Sequence, residues 1–253
     1  MKKIVAFLFL FYCFSSFAQK QKTMLIILAH PDDETAIAEV LIKYVRLGYK
    51  VQLMIATDGK DGTRVTKIPA GDSLGGLRKL ETTCACKKMG VEPPVFLSID
   101  RLDTKIGVGN YFREHKKLLQ LLKEKVDSIQ PDMIITFGPD GDTHHAEHIV
   151  IGAAVTELLL MHGWVDRYPL YYVAWSNDQG NSFDLGYVHE QYFNVKVTYT
   201  QEEENSALEI MPCYVTQFTA TEIKEDREKK IADLSNTLYF RRFVVKKGMQ
   251  KGF

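Results

Sequence analysis

Five short apolar runs, separated by segments of helical pattern, constrain this chain more than any other feature. They are Met24–Ala29 (MLIILA), Lys50–Thr57 (KVQLMIAT), Pro94–Ile99 (PVFLSI), Met133–Phe137 (MIITF) and Leu170–Trp175 (LYYVAW). Strands covered on both faces read this way, and they belong to parallel sheets flanked by helices. Helices are predicted over Glu34–Leu47, stopped by Gly48, and over Leu77–Met89, stopped by Gly90. Tyr111–Ile129 carries Leu118, Leu122, Val126 and Ile129 at helical spacing, and Pro131 closes it. Glu147–Met161 and Ala220–Asn236 complete the set, the charge run EIKEDREKK of the last reading as a solvated face. The polar stretch holding Gly59, Gly62, Gly71, Gly75 and Gly76 reads as a long loop.

This order predicts a doubly wound, Rossmann-like α/β fold with a mostly parallel sheet. Such sheets bind ligands beyond the carboxyl ends of their strands, where the strand order reverses. An order of 3-2-1-4-5 makes strands one and four neighbours at that point. With 253 residues, 45% of them apolar and 25% charged, the chain has the material for one such domain. A formal net charge of zero and the lack of a Lys/Arg-rich block argue against nucleic acid as a partner.

The first residues read separately. Lys2 and Lys3 precede an almost unbroken apolar run, Ile4–Phe14, and Ser16-Phe17-Ala18 offers small residues where a signal peptidase reads. Residues 1–18 are therefore expected to be a cleaved secretory leader and residues 19–253 a single exported domain. A membrane anchor is the weaker reading, since the run is shorter than the ~20 residues that span a bilayer. Bulky Tyr12 before Cys13 disfavours a lipoprotein. Cleavage removes both lysines and no acid, leaving a charge of −2, and leaves Cys84, Cys86 and Cys213. An odd number makes no complete disulfide framework. Cys84 and Cys86 are expected as packing residues, although either could pair with Cys213.

Two clusters carry chemistry. His30-Pro31-Asp32-Asp33-Glu34 directly follows strand one. If a helix starts here, with Pro31 in its first turn, His30 and Asp33 point the same way and make half a zinc site. Asp32 is then free to reach a metal-bound water. Helix capping by the acids is the bland alternative. Gly138-Pro139-Asp140-Gly141-Asp142-Thr143-His144-His145-Ala146-Glu147-His148 follows strand four and gathers three of the seven histidines. Either His145 or His144 could converge with His148, and a surface histidine cluster is the bland alternative. Both clusters fall where this fold builds active sites. Two His and one Asp leave a fourth position for water, as in catalytic zinc sites.

These motifs together resemble the PIG-L / LmbE-like de-N-acetylases: AHPDDE after strand one, a TDGKDG turn, an R-x-x-E helix, and GPDG…HxxH after strand four. The resemblance runs from Met24 to about Trp175. It implies a zinc-dependent hydrolase that removes the N-acetyl group from an N-acetylglucosamine-type sugar or glycoconjugate. It implies His30, Asp33 and His148 as metal ligands, Asp32 as general base, and His145 as the residue that steadies the intermediate or protonates the leaving amine. It implies substrate contact for Arg78, whose bland alternative is an i,i+3 pair with Glu81. Other divalent ions suit the same donors. The usual H-P-D-H is here His145-Ala146-Glu147-His148, so Glu147 is expected to orient His145 from one methylene farther out. The family's H-x-S-Q element survives only as Tyr214-Val215-Thr216-Gln217, with extra residues after Ala207.

Two other readings compete. An exported sugar-binding protein could keep the metal site without turnover, though binding alone does not need both Asp32 and His145. A non-haem iron oxygenase also uses two His and one carboxylate, but its expected β-barrel fits this order poorly. The expected partner is a small amino sugar or glycoconjugate, with no transmembrane anchor in the mature chain; an oligomer is compatible with the sequence.

Overall fold

A computed structural model describes residues 20–183 and 185–252. The expected leader, its cleavage point and Cys13 lie outside the described residues. Seven strands form one sheet in the order β3-β2-β1-β4-β5-β7-β6. The strands are β1 (Thr23–Leu28), β2 (Lys50–Thr57), β3 (Glu92–Ile99), β4 (Met133–Thr136), β5 (Leu170–Ala174), β6 (Val195–Thr198) and β7 (Thr237–Arg242). The first five are parallel in the order 3-2-1-4-5, and the last two add an antiparallel edge. All five expected strands are present. Met24–Leu28 is fully covered, as the unbroken apolar run requires. β3 sits at an edge, which is why it tolerates Pro93 and Pro94.

The helices are α1 (Ala38–Arg46), α2 (Asp72–Met89), α3 (Val108–Ile129), α4 (Ala146–Met161), α5 (Asn177–Phe183), α6 (Gln201–Ala207) and α7 (Ala220–Ala232). Leu118, Leu122 and Val126 bury the expected stripe of α3. Two expectations are corrected. No helix starts at Pro31. Instead Asp32 takes a left-handed conformation, φ 97°, and a 3-10 turn, Asp33–Ile37, leads into α1. Also, α2 starts at Asp72, inside the predicted loop, and takes in Gly75 and Gly76. Gly75 is needed for packing rather than flexibility: a Cβ there would lie 2.7 Å from the Asp58 carboxylate.

The C-terminal third folds back on this frame. Cys84 of α2 is joined to Cys213 by a disulfide, so Cys84 is not simply a packing residue, while Cys86 is buried and free. No helix among the described residues is long and apolar enough to cross a membrane.

Candidate metal centre and active site

The turn after β1 and the start of α4 meet where β1 and β4 lie side by side. Asp33 is fixed by the backbone: its Oδ2 accepts from the N–H groups of Ala29 (3.0 Å) and His30 (2.8 Å). That leaves Oδ1 facing two imidazoles, 3.1 Å from His148 Nε2 and 3.7 Å from His30 Nδ1. His30 Nδ1 and His148 Nε2 are 3.2 Å apart. Ligands on a tetrahedral ion with bonds of ~2.0–2.1 Å stand about 3.3 Å from one another, so this triangle has the size of one face of a zinc site. His145 is the other donor in range. One ring nitrogen of each of His30, His145 and His148 falls within 4.8 Å of the others. Asp33 completes the tighter set.

Each histidine is held by its second nitrogen. His30 Nε2 lies 2.8 Å from Glu147 Oε2, and Glu147 Oε1 accepts from Leu102 N–H at 2.5 Å. His148 Nδ1 lies 3.1 Å from the Gly141 carbonyl, and its ring stacks on Phe137 at 4.2 Å. Such partners fix the tautomer that turns a lone pair toward an ion. The Glu147 carboxylate therefore orients His30, not His145 as expected. At the start of α4 it points across the cleft, and only its backbone N–H reaches His145 Nδ1, at 3.2 Å. His144, the alternative to His145, is not one of the three histidines whose ring nitrogens converge.

The electrostatics favour a cation. Burial opposes charge on His30, yet hydrogen bonds with Asp33 and Glu147 outweigh it and raise its pKa to about 10. Burial would also raise Asp33, but His148 and His30 pull it below the usual carboxylate range. The carboxylates that hold this proton would equally attract a divalent ion, whose binding would have to release it. Asp32 behaves differently: burial, then the neighbouring Asp33 charge, push it well up, and its side chain lines the cavity. Burial, then the nearby His30 and His148, lower His145 and so favour its neutral form. Since Nδ1 accepts from Glu147 N–H, neutral His145 carries its proton on Nε2.

Arg78 is buried, and its two terminal nitrogens each donate at 2.5 Å to the carbonyls of Gly59 and Gly62. A Cβ at Gly62 would lie 2.6 Å from the guanidinium, so the turn is moulded around it. Glu81 turns away to Thr216, so the alternative i,i+3 pair with Arg78 is not formed. Arg78 also borders the cavity, which measures about 870 Å³.

Some functional neighbours escaped the sequence reading. Asp142 accepts from Trp175 Nε1 at 2.6 Å and lies 3.9 Å from His148 Nδ1. It belonged to the quoted motif, but its partners are remote in sequence. Gln217 donates to the Pro31 carbonyl at 2.8 Å, and the Tyr214 hydroxyl donates to Glu34. The divergent Tyr214–Gln217 element thus braces the first motif.

At the switch point of this α/β fold, imidazole and carboxylate donors of the kind that hold a divalent ion converge, with a further acid beside them. The chain belongs to the PIG-L family (GlcNAc-PI de-N-acetylase), whose profile matches residues 25–159. A 1D-myo-inositol 2-acetamido-2-deoxy-alpha-D-glucopyranoside deacetylase from Mycobacterium sp. (strain JLS) is 27% identical over 193 residues, 69% of this chain and 62% of that protein. The chain thus spans less than two thirds of that relative's length. The structure of N,N'-diacetylchitobiose deacetylase from Pyrococcus horikoshii matches with a TM-score of 0.62 at 19% identity, covering 88% of this chain and 84% of that one. A 4-carboxy-2-hydroxymuconate hydratase from Pseudomonas putida KT2440 matches with a TM-score of 0.61 at 12% identity, covering 92% and 100%. At such identities these structures share the fold, and the hydratase shows that the fold alone does not fix the reaction.

Proposed function

We propose that this protein is a metal-dependent hydrolase that removes the N-acetyl group from an N-acetylglucosamine-type sugar or glycoconjugate. The observation that carries the reading is the triangle of His30 Nδ1, Asp33 Oδ1 and His148 Nε2 beside the side chain of Asp32. Membership in a de-N-acetylase family and the deacetylase relative support the substrate class. These three residues would hold the ion, and zinc suits them well. Bound there, a divalent ion supplies Lewis acidity and a water that is acidic near neutral pH. Asp32, ionised where a bound cation offsets its burial and the Asp33 charge, accepts the proton of the attacking water. His145 donates from Nε2 to the developing oxyanion and then to the leaving amine. Arg78 keeps the Gly59–Gly62 turn in place along the cavity wall and offers its remaining N–H groups to substrate.

Acetate release from a panel of N-acetylated sugars, run with and without a chelator, tests this directly. Turnover lost on chelation and restored by zinc is expected. Tight sugar binding without acetate release would favour the sugar-binding reading instead. The iron oxygenase reading has no support in a seven-stranded α/β sheet.

We further infer that the protein is exported after removal of residues 1–18. The Cys84–Cys213 disulfide supports this, since such bonds persist in oxidising compartments. Intact-mass analysis of the protein secreted by its host should give a chain starting at Gln19; an uncleaved cytoplasmic chain would refute export.

A further inference from the structure

Of the two imidazoles in the donor triangle, His30 is held by a carboxylate and His148 by a backbone carbonyl. That carbonyl belongs to Gly141, in the peptide unit that joins it to Asp142. Its direction is therefore set by the backbone of those two residues. Both are left-handed, with φ 67° at Gly141 and 58° at Asp142. Glycine enters this region freely, whereas an aspartate does so uncommonly and needs contacts to keep it there.

Asp142 is held on three sides. Its Oδ1 accepts from Trp175 Nε1 at 2.6 Å, its carbonyl accepts from Gly186 N–H at 2.7 Å, and its own N–H donates to Asp140 at 3.3 Å. Trp175 is buried and directly follows β5, so this anchor is a fixed point at the end of the sheet. Gly186 is fitted closely against the loop: a Cβ there would lie 3.1 Å from the Asp142 carbonyl oxygen.

The charge of Asp142 also needs a reason. The residue is 7% exposed, and among the described residues its one ion-pair partner is the His148 ring, with Oδ2 3.9 Å from Nδ1. Burying a carboxylate is costly, and a neutral asparagine could accept from Trp175 equally well. A negative charge on the Nδ1 side makes the opposite nitrogen, Nε2, a better ligand. Nε2 is the atom that faces Asp33 and His30.

We propose that Asp142 is a positioning residue for the metal centre. Anchored to Trp175, it fixes the Gly141 carbonyl that orients His148, and it lends its charge to that imidazole. Each imidazole of the triangle is then backed by an acid from the second motif, His30 by Glu147 and His148 by Asp142. This role rests on His148 as a metal ligand, but not on the reaction that the centre performs.

Zinc affinity, measured on the purified protein by competition with a chelator, tests the role. Asp142→Ala should weaken zinc binding about 10–100-fold. Asp142→Asn keeps an oxygen for Trp175 and should recover part of that loss. Trp175→Phe should weaken zinc binding less than Asp142→Ala does. Combining the two should cost no more than Asp142→Ala alone, because Trp175 acts through Asp142. Circular dichroism confirms that each variant folds. A merely structural contact would lower stability in urea and leave the affinity of the folded protein unchanged. A substrate contact would raise KM for acetate release, again at unchanged affinity. Either result overturns the positioning role, as do additive losses or an Asp142→Asn variant no better than Asp142→Ala. Acetate release by the parent decides the hydrolase reading separately. Zinc bound without acetate released fails that reading and leaves the affinity comparison in force. A parent that takes up no divalent ion overturns the positioning role along with the metal centre.

Discussion

His30 shows how much one side chain can be asked to do. Its Nδ1 faces the donor triangle while its Nε2 lies against Glu147. The two roles are linked through the ring: a carboxylate at Nε2 makes Nδ1 a better ligand and holds the plane of the imidazole. Glu147→Gln keeps the size of the side chain but removes its charge. It should weaken metal affinity about 10–100-fold, measured by competition with a chelator of known affinity. Asp32→Asn should behave in the opposite sense, abolishing acetate release at unchanged metal content. Metal loss in Asp32→Asn, or full affinity in Glu147→Gln, would reverse the two assignments. The donors themselves were legible, because HPDDE and HxxH place them within a few residues of a strand end. The target of Glu147 was not. Its sequence neighbour is His145, whereas its carboxylate meets a histidine 117 positions away. Spacing reports which residues share a helix turn, and says nothing of what the opposite wall presents.

At the scale of elements, the site depends on how closely α4 sits on the end of β4. A Cβ at Gly152 of α4 would collide with the backbone carbonyl of Phe137. Neither backbone can yield as a flexible side chain could, so Gly152→Ala should push the helix away and carry His148 with it. The expected cost is about 1–3 kcal/mol by urea denaturation, together with weaker zinc binding. A variant of unchanged stability and affinity would show that α4 has room to spare. The central strands were readable because each is covered on both faces and must be apolar throughout. β6 and β7 were not. Val195–Thr198 alternates half-buried and exposed residues, and β7 ends in two arginines, so neither makes an apolar run. The start of α2 was hidden for another reason. Glycine has poor helix propensity, but here the packing of Asp58 against Gly75 outweighs it. The first motif was placed correctly for the wrong local cause. His30 and Asp33 converge through a left-handed residue and a 3-10 turn, not through helical spacing. Asp32, which takes the strained φ, is the proposed base, in keeping with strain stored at functional sites.

Over the whole molecule, the candidate metal centre and the C-terminal third share the same turn. The ion would grip it through His30 and Asp33. Tyr214 holds Glu34, Gln217 holds the Pro31 carbonyl, and Lys230 holds the Thr35 carbonyl. The Cys84–Cys213 disulfide anchors that C-terminal segment to α2. Removing the ion should therefore be felt well outside its ligands. An ion present at 100 times its dissociation constant stabilises the folded state by about 2.7 kcal/mol. For a chain of this size that corresponds to a fall in Tm of roughly 5–11 °C on chelation. The loss should also be uneven. The carboxylate and imidazoles of the triangle lose their shared partner, the turn loosens, and residues 211–217 lose a rigid surface to bind. The buried strands keep all of their own contacts. Hydrogen exchange followed by mass spectrometry should show faster exchange in residues 30–37 and 211–217 after chelation, with β1, β2 and β4 unchanged. Readdition of zinc should restore both the Tm and the protection. Uniform loss of protection across the sheet, or none in residues 211–217, would mean that the ion and the C-terminal brace do not share the turn.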